Sequence, residues 1–89
     1  MPYREDILRI AEKHGAGNVR VFGSFARGEA RDDSDLDVLI DPGPEMSLLQ
    51  HVALMQDLEV LLGRSVDVVS ARALHWTMRD SVLAEARPL

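Results

Sequence analysis

Apolar positions recur along the chain in blocks whose internal spacing predicts the elements. From Arg4 to His14, Ile7, Leu8, Ile10 and Ala11 fall at helical spacing, and Gly15 with Gly17 ends the run. Asn18 to Phe22 is β-branched and aromatic, which predicts a strand. Ser24 to Arg27 predicts a short helical turn stopped by Gly28, and the polar stretch from Glu29 to Ser34 predicts a loop. Leu36 to Asp41 predicts a second strand, closed by the turn Pro42-Gly43-Pro44. Ser47-Leu48-Leu49-Gln50 is a capping-box pattern. The helix after it places Leu48, Val52, Met55, Leu58 and Leu62 on one face and stops at Gly63. Ser65 to Ser70 predicts a third strand, and the last segment predicts helix in two pieces, roughly Ala71 to His75 and Thr77 to Ala86. The order helix, strand, strand, helix, strand, helix indicates a single α/β domain over residues 1–89, a small mixed sheet flanked by helices.

Composition narrows the function classes. A chain of 89 residues with 46% hydrophobic content builds one modest core and is no disordered acidic segment. No apolar run approaches the roughly 20 residues of a spanning helix, and no signal-peptide pattern opens the chain. With no cysteine there is neither a disulfide framework nor a thiolate zinc site. A soluble cytoplasmic protein without membrane association is expected. The formal charge of −5 argues against a nucleic-acid-coating surface, so no direct nucleic-acid binding is expected. Seven of the fifteen acidic residues lie between Glu29 and Glu45, which focuses the acidity on one stretch. Trp76 reads as core or as an exposed partner-docking anchor, and core is the expectation, because so small a chain needs its large apolar side chains inside. His14, His51 and His75 show no metal-ligand spacing and are expected at the surface or at helix ends.

The acidic stretch carries the candidate chemistry. Side chains alternate along a strand, so Asp35 and Asp37 share one face. Two like charges on a half-buried strand repel each other and resist desolvation, a conflict that a divalent cation resolves. Magnesium takes carboxylate oxygens and shares its remaining sites with water and substrate phosphate. Gly23 lets the backbone turn and approach a ligand closely, and the unpaired N–H groups from Ser24 onward attract phosphate. An anion site next to paired carboxylates is what phosphoryl or nucleotidyl transfer requires. Arg27 reads either as a phosphate contact or as a surface partner of Glu29 or Asp32. Ser34 reads as a cap for its loop, with Asp33 and Asp41 as solvated charges. Asp67, between Val66 and Val68, is charged where the pattern prefers apolar, and reads as a strand-end acid or as a third site carboxylate.

Gly23-Ser24, ten intervening residues, then Asp35-Leu36-Asp37 resembles the signature of the DNA polymerase β-like nucleotidyltransferase superfamily. The fuller string, Gly-Ser-Phe-Ala-Arg-Gly, five residues, then Ser-Asp-Leu-Asp-Val-Leu-Ile, is similar to that of minimal nucleotidyltransferase (MNT) domains, commonly the antitoxin half of HEPN/MNT pairs. The resemblance covers essentially the whole chain and implies a polymerase β-like nucleotidyltransferase core. It implies that Asp35, Asp37 and Asp67 form a catalytic, metal-binding triad for two magnesium ions. It implies nucleotide binding by Gly23 and Ser24, which would hold the β- and γ-phosphates, and by Arg27. The implied reaction transfers AMP from ATP to a hydroxyl, that of a tyrosine, on a HEPN toxin with which the chain forms a hetero-oligomer. Two other readings stay open. One is a non-catalytic antitoxin that occludes its toxin in a stable complex. The other is transfer to a small molecule or an RNA end, disfavoured by the absence of a second domain and by the acidic balance.

Overall fold

The computed structural model describes residues 3–89. Helix α1 (Arg4–Lys13) leads into strand β1 (Ala16–Phe22), and a long connection returns to β2 (Leu36–Pro42). Helix α2 (Leu48–Leu62) crosses to β3 (Val66–Ser70); a 3₁₀ turn (Ala71–Ala73), helix α3 (Trp76–Glu85) and the two-residue strand β4 (Arg87–Pro88) complete the chain. The sheet order is β3-β2-β1-β4, with β2 and β3 parallel and the other neighbours antiparallel. The mixed sheet flanked by helices matches the expected fold class. The pairing of β4 with β1 was not expected, because two residues carry no alternation. Among the described residues no helix is long and apolar enough to cross a membrane.

Strand β2 lies inside the sheet and is covered on both faces, so Leu36, Val38, Leu39 and Ile40 are all buried. On one face Leu36, Val38 and Ile40 join Val19, Val21, Val66 and Val68 beneath Ile7 and Ala11 of α1 and Leu54 and Leu58 of α2. On the other, Leu39 packs with Ala71 and Val82 under the 3₁₀ turn and α3. A one-residue bulge makes β1 fit: Gly17 pairs with Asp41 and Arg20 with Leu39, three steps against two. Asn18, at φ 47°, absorbs the extra residue, so Ala16 and Val19 both point inward despite their odd spacing.

Helix α2 starts at Ser47, whose Oγ accepts the Gln50 N–H at 3.2 Å, and ends at Gly63 in the left-handed region at φ 66°. Only half of the capping box forms, because the Gln50 side chain instead meets His14 Nδ1 at 2.7 Å. The buried face of α2 is also rotated from the expected stripe. Leu54 and Leu58 form its centre, while Leu48 and Val52 are exposed. With apolar residues nearly all around the helix, periodicity could not locate that centre. Side chains of α2 also cap the free edge of β3: Glu59 accepts the Val66 N–H at 3.1 Å, and His51 Nε2 donates to the Val68 carbonyl at 2.8 Å.

His14 stands at the end of α1, as expected, yet it is buried between α1 and α2. The expectation for Trp76 fails. Trp76 is 79% exposed, on a helix of which Val82 alone is fully buried. The apolar residues of α3, at 76, 78, 82, 83 and 84, do not form one helical stripe, so the helix can bury only the line through Val82.

Candidate active site

Two positions before Leu39, on the same face of β2, stands Asp37. Its register neighbours are Phe22 in β1 and Asp67 in β3. The chain leaves β1 at Gly23 with φ 71°, and a Cβ built there would lie 2.1 Å from Asp37 Oδ2. Only glycine lets the backbone close onto that carboxylate. The close approach expected at Gly23 is therefore made to a side chain of the site itself.

The expected short helix from Ser24 is a single turn. The Arg27 N–H donates to the Gly23 carbonyl at 3.1 Å, the Glu29 N–H to the Ser24 carbonyl at 2.8 Å, and Gly28 ends the turn at φ 73°. Among the described residues, the amides of Ser24, Phe25 and Ala26 find no carbonyl partner. These donors are a feature of helix starts that anions use.

This turn and the carboxylates form one wall of a cleft of about 560 Å³, on which Gly23, Ser24, Arg27, Ser34, Asp35 and Asp37 meet. Helix α3 forms the other, through Thr77, Met78, Ser81 and Glu85. The two halves of the motif thus converge on one cavity. Asp67 stands one strand over from Asp37, exposed and outside the cleft lining. Ser34 caps its loop as expected, its Oγ accepting the Arg31 N–H at 2.7 Å. Asp41, expected to be solvated, accepts from Asn18 at 2.9 Å and from Arg20 at 2.6 Å.

Arg27 is tied to Glu29 through Nε at 3.3 Å and to Glu85 through Nη1, and not to Asp32. Both carboxylates hold its charge firmly in place and raise its pKa, Glu85 more than Glu29. Among the described residues Nη2 has no hydrogen-bond partner, so part of the fork remains available. Glu85 escaped the sequence reading because it lies 58 positions from Arg27, with no local pattern to mark it.

Burial pushes the Asp37 carboxyl above its ordinary 3.8, and the charges of Asp67, Asp35 and Glu85 push it further; Arg27 opposes them. Among the described residues no three carboxylate or imidazole side chains gather tightly enough to hold a metal ion alone. That donor set suits magnesium, which keeps several waters and takes one or two protein carboxylates together with substrate phosphates. The resistance of Asp37 to ionisation is the condition such an ion relieves.

The family described as Polymerase beta, Nucleotidyltransferase matches residues 5–89. The chain belongs to that family. A protein of Methanocaldococcus jannaschii is 40% identical over 83 residues, spanning 93% of this chain and 89% of its own. A protein of Thermococcus cleftensis is 42% identical over 76 residues, spanning 85% of this chain and 77% of its own. Both are named as protein adenylyltransferases, the second as MntA. A solved structure described as a minimal nucleotidyltransferase superposes with a TM-score of 0.90 at 52% identity, over 99% of this chain and 90% of that one. A toxin–antitoxin structure with AMP-PNP shares the fold, with a TM-score of 0.83 at 20% identity over 96% of this chain and 70% of its own.

The nucleotidyltransferase fold accounts for the placement of the motif. Adjacent strands bring Gly23 and Asp37 together, the turn after β1 supplies the free amides, and α3 closes the cavity from the opposite side.

Proposed function

We propose that the chain is a metal-dependent protein adenylyltransferase that acts as an antitoxin. It transfers AMP from ATP to a hydroxyl, that of a tyrosine, on a HEPN ribonuclease toxin and so neutralises it. One observation carries the reading: the Gly23-Ser24 turn and the carboxylates of Asp35 and Asp37 open into the same cleft. The relatives named protein adenylyltransferase support it. So does a structural neighbour described as a tri-AMPylated HEPN toxin in complex with an MNT antitoxin, which shares this fold.

Asp35 and Asp37 would hold magnesium, with Asp67 beside them. When bound, the ion neutralises the triphosphate and stabilises charge growing on the leaving pyrophosphate. The chain's own groups do the positioning. Ser24 and the free amides of the turn donate to the β- and γ-phosphates, and Arg27 adds the unused donors of its fork. The acceptor oxygen attacks the α-phosphorus and forms a new O–P bond as the bond to pyrophosphate breaks. Its proton passes to Asp67, whose exposed side chain an incoming protein can reach. No covalent enzyme intermediate is needed. The double variant D35N/D37N, incubated with ATP, magnesium and toxin, is expected to transfer no adenylate; undiminished transfer refutes the mechanism.

The exposed Trp76 and Met78 of α3 favour a second reading, neutralisation by occlusion in a stable complex. Toxin challenge in cells separates the two. A triple Asp35, Asp37, Asp67 to Asn variant that still rescues growth supports occlusion, and one that fails to rescue while binding the toxin supports catalysis.

A further inference from the structure

Asp35 lies just outside β2, on a loop, yet its backbone is gripped on both sides by one dipeptide. The Arg64 Nη1 donates to the Ser34 carbonyl at 2.9 Å and reaches the Arg31 carbonyl at 3.4 Å. The next carbonyl, that of Ser65, accepts the Leu36 N–H at 3.0 Å. The turn that Arg64 holds is itself closed, because the Ser34 N–H donates to the Arg31 carbonyl at 3.0 Å. The same guanidinium lies 4.8 Å over the ring of Phe25, the residue after Ser24. One side chain, delivered by the junction of α2 and β3, therefore touches both halves of the site.

We propose that Arg64 is a positioning residue for nucleotidyl transfer: by stacking on Phe25 while holding the Ser34 carbonyl, it fixes the separation between the phosphate turn and Asp35. The inference rests on the reading of this cleft as the metal and nucleotide site. Its physical basis is the flat fork of arginine, which can stack on an aromatic face and donate in its plane together. Lysine can supply the charge and a donor but no flat face. The loop would otherwise be free to carry Asp35 away from the turn, and a misplacement of about 1 Å at a reacting centre can cost on the order of 100-fold in rate.

The test compares R64M, which loses both contacts, with R64K, which keeps a donor for the Ser34 carbonyl but not the stack. Three quantities are read at a temperature where circular dichroism shows each variant folded. They are the transfer rate to toxin, the magnesium concentration at half-maximal rate, and the affinity for a non-hydrolysable ATP analogue with magnesium. R64M is expected to lose about tenfold or more in rate, with a raised magnesium midpoint and weaker analogue binding. R64K is expected to restore the magnesium midpoint while analogue binding stays weak, because only the Phe25 contact is missing. An R64M protein with a lower melting temperature but an unchanged midpoint and affinity overturns the proposal. So does an R64K protein that is wild-type in both, since the stack would then position nothing. Should R64M not fold, R64K alone decides by the same criterion. Failure of D35N/D37N to abolish transfer would instead refute the cleft assignment, so the two failures are distinguishable.

Discussion

At the residue scale the site is a place where the fold accepts a local penalty. Asp37 is half-buried, faces Asp67 across the strand pair and lies under the Gly23 backbone. Its folded-state pKa is raised, so the folded chain binds that proton more tightly than the unfolded chain does. The ionised carboxylate therefore costs stability at every pH above the unfolded value, and the cost is relieved as pH falls. In metal-free buffer at neutral pH, D37N is expected to raise the melting temperature by a few degrees while abolishing transfer; an unchanged or lower melting temperature contradicts this. Gly23→Ala acts in the opposite direction. Its Cβ collides with Asp37 Oδ2 and its φ is strained, at a cost of about 1–3 kcal/mol, with transfer activity lost. Urea unfolding and a transfer assay check both parts. Alternation suggested one face for Asp35 and Asp37, although Asp35 lies on the loop before β2, and the resemblance to the nucleotidyltransferase signature joined Gly23 to them. Glu85 and Arg64 were invisible because each acts from a distant segment through contacts that only the closed fold creates.

At the scale of elements, α1 and α2 are joined by a polar lock at the rim of their apolar interface, where His14 is buried and Gln50 and Asp57 reach solvent. His14 Nδ1 meets Gln50 at 2.7 Å and Nε2 meets Asp57 at 2.6 Å. Two acceptors favour the doubly protonated ring, so the hydrogen bonds to Gln50 and Asp57 raise the pKa above 6.5 against the effect of burial. A raised folded-state pKa stabilises fully below the unfolded value and is lost as pH rises through the folded one. Unfolding free energy is thus expected to fall between about pH 6.5 and the raised value. His14→Ala should remove that slope and cost roughly 1–3 kcal/mol at acidic pH. Denaturant melts at about pH 5.5 and about pH 8.5, on either side of the imidazole range, read both effects; a slope that persists in the variant contradicts the assignment. A helix-end histidine was legible in the sequence. Its burial was not, because the partners that make it tolerable sit 36 and 43 positions away. The stripe expected on α2 held at Met55, Leu58 and Leu62 and missed Leu54, because the apolar residues of this helix do not mark one face.

At the scale of the molecule, the core and the cleft lie on opposite faces of one sheet. Helices α1 and α2 cover the larger core, and α3 covers a small patch around Leu39 and Val82. That division leaves Trp76 and Met78 exposed beside the cleft, 79% and 55%, where a core demand alone would have placed them inside. The element order was legible because turn and cap residues, Gly15, Gly28, Pro42, Gly43, Ser47 and Gly63, bound the blocks. The two-residue β4 was not, since its place is set by pairing with Arg20 and Val21. In the proposed function a protein acceptor covers the exposed rim and delivers its hydroxyl to Asp67. Intact-mass spectrometry of the toxin, after incubation with this protein, ATP and magnesium, tests that account most directly. It predicts a gain of adenylate on the toxin that disappears with D35N; an unmodified toxin held in a tight complex would contradict it.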